Sequence, residues 1–187
     1  MTKTIKRCSW VSDDPIYIEY HDKEWGKPQH SSIKLFEKIC LEGQQAGLSW
    51  ITVLKKREEY RRCFFNFDPK KIIKIESIEP MMENKGLIRN RLKLNAIIKN
   101  AKAYLEMQKN GEDFAEFIWS FVDNKTIVNH YKAMKDVPAS TEISDKMSKA
   151  LKKKGFTFVG STICYAFMQS MGLVDDHFEE CFCRQSK

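Results

Sequence analysis

The chain has 187 residues, enough to bury a substantial core as one domain. Its 42% hydrophobic and 30% charged residues are ordinary for a globular protein and exclude fibrous or disordered classes. The 32 Lys and Arg outweigh the 25 Asp and Glu to give a net charge of +7, which points to a polyanionic partner.

The pattern predicts an all-α protein. Residues 1–8 carry lysine, arginine and threonine but no apolar core of a signal peptide. Asp13-Asp14-Pro15 is a cap and first turn, opening a short helix through about His21. Ser31-Ser32 caps the most apolar long stretch, Leu35 to Leu54. Gly43 and Gly47 are candidate breaks within it. Asp68-Pro69 starts another short helix. Helical pattern then runs through about 90–109, 112–123, 142–154 and 161–171, with Gly111 and Gly172 at helix ends. No stretch alternates at period two, and none reaches the ~20 apolar residues of a membrane span. A cytosolic setting is expected. The six cysteines are then not a disulfide framework, and Cys40 and Cys164 read as core.

Wound as one helix, the apolar stretch places Leu35, Ile39, Glu42, Ala46, Ser49 and Val53 on a single face, with Trp50 beside it. Glu42 is therefore a carboxylate in a core-like stripe. Burying it alone costs several kcal/mol or more. A basic residue, a metal or a ligand with donors must offset that cost. A structural reading also stands, in which Glu42 accepts backbone N–H groups or a tyrosine hydroxyl.

Cys8 and His21 near the start, and His177 and Cys181 near the end, supply two thiols and two imidazoles. The H-x3-C spacing puts the second pair on one helix face, as zinc ligands often stand. A closed tetrahedral site would be structural and would join the termini. Cys183 is an equally available thiol, and C-x12-H is not a finger spacing.

The segment Lys152-Lys153-Lys154-Gly155-Phe156-Thr157-Phe158-Val159-Gly160-Ser161-Thr162 sets two glycines around a short apolar turn between helices. Glycine permits positive φ and close backbone approach. Free N–H groups at the next helix start can bind a phosphate. This is the form of a helix-hairpin-helix element, which grips DNA backbone without reading bases. A tight interhelical turn is the plain alternative. The clusters Lys55-Lys56-Arg57, Arg61-Arg62, Lys70-Lys71, Arg89-Arg91-Lys93 and Lys152-Lys153-Lys154 are either phosphate contacts or solvated helix faces.

Three blocks carry a resemblance to a known family. They are Arg7-Cys8-Ser9-Trp10-Val11 with Tyr20-His21-Asp22-Lys23-Glu24-Trp25-Gly26; Leu41 through Arg57; and Gly155 through His177. Essentially the whole chain resembles the DNA-3-methyladenine glycosylase I family, the zinc-containing bacterial branch of the helix-hairpin-helix DNA glycosylases. The resemblance implies that fold, with one structural Zn2+ on Cys8, His21, His177 and Cys181. It implies base-binding roles for Glu42, Tyr20 and Trp50, with Trp10 and Trp25 nearby, and a Leu48 segment facing the gap left in the DNA. Gly155, Gly160, Ser161, Thr162 and Lys153 would hold the DNA backbone.

The implied reaction is hydrolytic release of free 3-methyladenine from double-stranded alkylated DNA by a monomer with no membrane partner. The base must leave the stack to be reached. Trp50 then offers a stacking face and Glu42 an acceptor facing a cationic base. Normal adenine, being uncharged, gains no such ion pair, so selectivity follows from electrostatics and fit. The superfamily's aspartate slot after the hairpin is filled here by Asp175, where members of this branch often carry asparagine. Asp175 is a candidate to assist water attack, a surface residue, or a support for a zinc ligand. Ser161 and Thr162 stand where a lyase lysine would, which favours simple hydrolysis. Two other classes compete: a non-enzymatic zinc DNA-binding module and a hydrolase of RNA bases or small molecules.

Overall fold

The computed structural model describes residues 5–184, so residues 1–4 and the last three lie outside the description. Among the described residues are nine α-helices: α1 (Pro15–Lys23), α2 (Ser32–Gln45), α3 (Trp50–Cys63), α4 (Pro69–Ile72), α5 (Glu79–Met82), α6 (Arg91–Lys109), α7 (Phe114–Ser120), α8 (Glu142–Lys153) and α9 (Ser161–Ser170). A two-residue parallel pairing joins β1 (Ile127–Val128) to β2 (Val174–Asp175), with Ile127 opposite Val174. The fold is mostly helical, as the pattern implies.

Helix starts follow from side-chain caps. Asp14, Ser31, Asp68, Asn90, Asp113 and Thr141 each accept a backbone N–H from the first turn they precede. Such a cap stabilises a helix by about 1 kcal/mol.

The apolar stretch is two helices, not one. Gly47 takes φ +77° and turns the chain between α2 and α3. Lys93 Nζ donates to the carbonyls of Gln44 (2.9 Å) and Ala46 (2.5 Å), satisfying the end of α2 with a cation. Ser49 is consequently exposed as the first residue before α3, against the single-stripe reading. Gly43 does not break α2. A Cβ there would lie 3.0 Å from Phe158 Cβ and 3.1 Å from its carbonyl oxygen, so the glycine lets α2 meet the α8–α9 turn.

Helix α2 is the hub, packed on α3, α6, α7 and α9. Leu35, Phe36 and Ile39 on it are fully buried. Each such side chain contributes roughly 1.5–3 kcal/mol. The 154–160 turn is held from two sides. Asn100 accepts from Thr157 N–H (2.8 Å) and donates to its carbonyl (3.2 Å), while Ser148 Oγ donates to Val159 O (2.6 Å). Gly155 takes φ +96° as expected, but Gly160 has φ −61° and Phe158 carries the second positive φ, 55°. Gly160 instead leaves open space at the start of α9.

Candidate base-binding cavity and metal cluster

A cavity of about 240 Å³ opens among α1, α2, α3, α9 and the segments flanking β2. Tyr17 and Tyr20 reach it from α1, and Trp10 and Trp25 from either side of that helix. Glu42 and Gln45 come from the last turns of α2, and Trp50 from the first residue of α3. Ala166, Gln169, Asp176 and Phe178 close the far side, with Met134 and Val137 at the edge. All five aromatic and acidic residues expected at a base pocket (Tyr20, Trp50, Trp10, Trp25 and Glu42) therefore meet. Trp50 reaches Glu42 across the α2–α3 turn rather than along one helix. Its ring centre is 5.6 Å from that of Tyr20. Trp50 Nε1 is buried without a hydrogen-bond partner.

Glu42 is 3% exposed, and the partner that its burial demands is Lys38, one turn earlier on α2. Lys38 Nζ lies 3.6 Å from Glu42 Oε1, donates to Tyr20 Oη at 2.5 Å and sits 3.5 Å from the Trp50 ring centre. Burial pushes the Glu42 carboxyl up, while the Lys38 charge resists. Burial likewise pushes Lys38 down to about 8 against the pull of Glu42. Of the three partners open from sequence, the basic residue is present. The signal was a lysine four residues before the stripe carboxylate, an i,i+4 pair that the sequence reading passed over.

Adjacent aspartates part at β2. Asp175 Oδ1 accepts from His177 Nδ1 (2.7 Å) and His177 N (3.1 Å), and its carboxylate is fully buried away from the cavity lining. That placement removes the surface alternative for Asp175 and sets its carboxylate against His177, as the support for a metal ligand would stand. Asp176 lines the cavity instead. Its carboxylate accepts from Asn129 Nδ2 (2.7 Å), Tyr165 Oη (2.5 Å) and Gln169 Nε2 (2.9 Å). Successive side chains of an extended segment face opposite ways, so choosing between neighbours needed the register.

Behind Trp10 and Trp25 lies a cluster that could hold a metal. His21, His177, Cys181 and Cys183 bring their donor atoms within 4.8 Å of one another. Asp22 Oδ1 meets His21 Nδ1 at 2.7 Å, and Arg7 anchors Asp22 through paired hydrogen bonds. His177 Nδ1 is held in the same way by Asp175, which leaves its buried Nε2 with no partner. Two imidazoles oriented by carboxylates, one with an orphaned nitrogen aimed among thiols, fit a metal ion. Cys8, placed in the expected set, stands beside this group. Its sulfur accepts from Phe178 N at 3.4 Å and is hydrogen-bonded to Cys181. That bond and then His21 push the Cys181 thiol down to about 4, and burial pushes Cys183 up to about 12. Gly26 (φ +76°) makes room, since a Cβ would lie 2.5 Å from His177 Cε1.

Most basic clusters are structural. Arg57 pairs with Glu24, Arg61 with Glu37 and Glu58, Arg62 with Glu59, Arg91 with Glu79, and Lys55 with Asp14. Lys93 caps α2. Lys70, Lys71, Arg89, Lys152 and Lys153 have no ion pair among the described residues. Lys153 is exposed, Ser161 Oγ hydrogen-bonds Ser144 (2.8 Å) and Asp145 (2.5 Å), and Thr162 is exposed at a small cleft shared with Glu42 and exposed Leu48. No described helix is long and apolar enough to cross a membrane.

The family model described as methyladenine glycosylase matches residues 10–184. A DNA-3-methyladenine glycosylase of Haemophilus influenzae is 65% identical over 182 residues, 96% of this chain and 98% of that protein. A crystal structure of a 3-methyladenine DNA glycosylase I superposes with a TM-score of 0.95 at 58% identity, covering 96% of this chain and all of the other. The 3-methyladenine DNA glycosylase I of Staphylococcus aureus, solved for its recognition of 3-methyladenine, gives 0.92 at 34% identity, covering 97% of each chain.

Proposed function

The chain belongs to the methyladenine glycosylase family, and we propose on that premise that it excises 3-methyladenine from alkylated double-stranded DNA by hydrolysis. The observation that carries this reading is the cavity, in which stacking faces converge with two buried carboxylates, Glu42 and Asp176.

The duplex is gripped by the α8–α9 element acting as a helix-hairpin-helix. Open space over Gly160 and the first N–H groups of α9, at Ser161 and Thr162, suit a phosphate, with Lys153 exposed nearby. Gly155 gives the turn its shape. The damaged nucleotide swings out, and its base enters the cavity. Trp50 stacks on it, worth roughly 1–3 kcal/mol. Tyr20, Trp10 and Trp25 complete the aromatic wall, and Glu42 accepts from the donors on the base edge. A base methylated at N3 is cationic in DNA and leaves readily, so recognition matters more than strong acid catalysis. The serine and threonine that follow Gly160 offer no amine for a Schiff base, which supports a monofunctional hydrolase.

We also infer that the metal cluster holds one zinc ion through His21, His177, Cys181 and a further thiol, Cys8 or Cys183. Zinc in a closed N/S set is structural and leaves no position for a reacting water. Its role here is to fix the termini as part of a single domain acting as a monomer. The experiment is incubation of purified, zinc-loaded protein with methylated duplex DNA, followed by chromatography of released bases. Free 3-methyladenine is expected; folded protein that releases none sinks the proposal.

A further inference from the structure

Lys38 does not line the cavity; it stands behind three residues that do. At 5% exposure its ammonium touches the Tyr20 hydroxyl, the Trp50 ring and the Glu42 carboxylate at once. A lysine one turn before a glutamate is commonplace on a solvated helix. Here both ions are almost fully buried, so each leans on the other for its charge.

We propose that Lys38 is a positioning residue of the base site: its ammonium supplies the counter-charge that lets Glu42 face the cavity as a carboxylate, while bracing Tyr20 and Trp50 around the base. This rests on the reading of Glu42 as a base-recognition group given above.

The surroundings leave Lys38 in that role. The other ions that act on Lys38 are Glu24, at the end of α1, and Arg57, on α3. They are joined to each other by hydrogen bonds of 2.7 and 2.9 Å and form a closed neutral pair. On the cavity side, Asp176 has its donors from Asn129, Tyr165 and Gln169, and Tyr17 and Tyr20 are uncharged at neutral pH. Ser170 of α9 adds a hydrogen bond to Glu42 but no charge. Without Lys38, only desolvation acts strongly on the Glu42 carboxyl, and it holds its proton to higher pH. One face of Trp50 is also taken by the ammonium, so the base stacks against the other.

An opposite charge within ~4–6 Å lowers a carboxyl pKa by roughly 1–3 units. Replacing Lys38 by methionine keeps the length and removes the charge. The measurement is kcat/KM for 3-methyladenine release from methylated DNA between about pH 5 and about pH 9, where the acid limb reports the essential carboxylate. Lys38→Met should move that limb upward by about one unit or more, with activity recovering toward alkaline pH. A uniform loss at every pH, with the limb unmoved, overturns the inference and leaves Lys38 as packing. Lys38→Gln should shift the limb in the same direction. Should neither variant fold, the wild type answers: the 13C carboxyl resonance of Glu42 must respond a second time as Lys38 loses its proton, and silence there overturns the inference. Glu42→Gln separates the two readings. If it keeps both the rate and the limb, the role of Glu42 itself is wrong. If it loses them while Lys38→Met leaves the limb in place, only the role of Lys38 is wrong.

Discussion

Asp175 and Asp176 are neighbours with opposite assignments, and asparagine at each position tests them. Asp175 Oδ1 takes two hydrogen bonds from His177, one from Nδ1 at 2.7 Å and one from the backbone at 3.1 Å. Asparagine keeps the shape and one acceptor but loses the charge that makes the imidazole a better donor to a metal. Loss of such an outer partner typically weakens metal binding by 10–100-fold, about 1.4–2.7 kcal/mol. Asp175→Asn should therefore give up zinc to a competing chelator at correspondingly lower chelator concentration. Saturated with zinc, it should excise 3-methyladenine at a rate within a few-fold of the parent. Asp176→Asn has the reverse signature. Its carboxylate collects donors from Asn129, Tyr165 and Gln169, and an amide oxygen with an NH2 beside it cannot accept from all of them. At least one donor is stranded, at about 1–3 kcal/mol, and the cavity wall shifts while zinc stays bound. A zinc-saturated Asp175→Asn protein that loses a hundredfold or more in excision would refute the reasoning and return Asp175 to the reaction itself.

The fourth metal ligand is decided by elemental analysis of three variants. Cys181→Ser should lose the ion, and of Cys8→Ser and Cys183→Ser only the one that supplies a ligand should do so. Gly43→Ala should cost about 1–3 kcal/mol in urea unfolding, because its methyl group meets Phe158 on the hairpin turn and backbone must yield. Trp50→Ala should weaken capture of free 3-methyladenine by roughly 1–3 kcal/mol, measured by calorimetry, while leaving duplex affinity nearly unchanged. Equal losses for free base and for undamaged duplex would place Trp50 outside the pocket.

Local chemistry was the legible part of this chain. Caps such as Asp14 before Pro15 act within one turn, so a dipeptide is enough to place them. Periodicity singled out Glu42 with Trp50 beside it, and the resemblance added Tyr20, Trp10 and Trp25; the same periodicity put Ser49 in the core, where it is exposed. That error has a physical source. Whether Gly43 or Gly47 ends the helix depends on Lys93, more than forty residues away, reaching the carbonyls at the end of α2, and on Phe158 reaching Gly43. The partners of the basic clusters were out of sight for the same reason. Arg57, Arg61 and Arg91 look free in sequence and are bound to carboxylates contributed by other segments. Lys38 was hidden differently: its i,i+4 spacing to Glu42 is visible, but the same spacing is common on solvated helix faces and carries no mark of burial.

The cavity and the metal cluster share a wall. Trp25 lines the cavity and packs edge-on against His177, ring centres 4.7 Å apart, while Trp10 does the same between Trp25 (5.0 Å) and His21 (5.2 Å). The histidines are therefore both candidate ligands and the floor on which two cavity tryptophans rest. An ion at the cluster would fix the imidazoles, and through them the two tryptophans that rest on them. A cluster remote from the pocket could lose its ion and lower only global stability. Here ring packing at about 5 Å would pass an imidazole reorientation on to the tryptophans that line the cavity. A site built from His21 and from residues 177–183 would thus make the shape of the cavity depend on those two segments staying packed together.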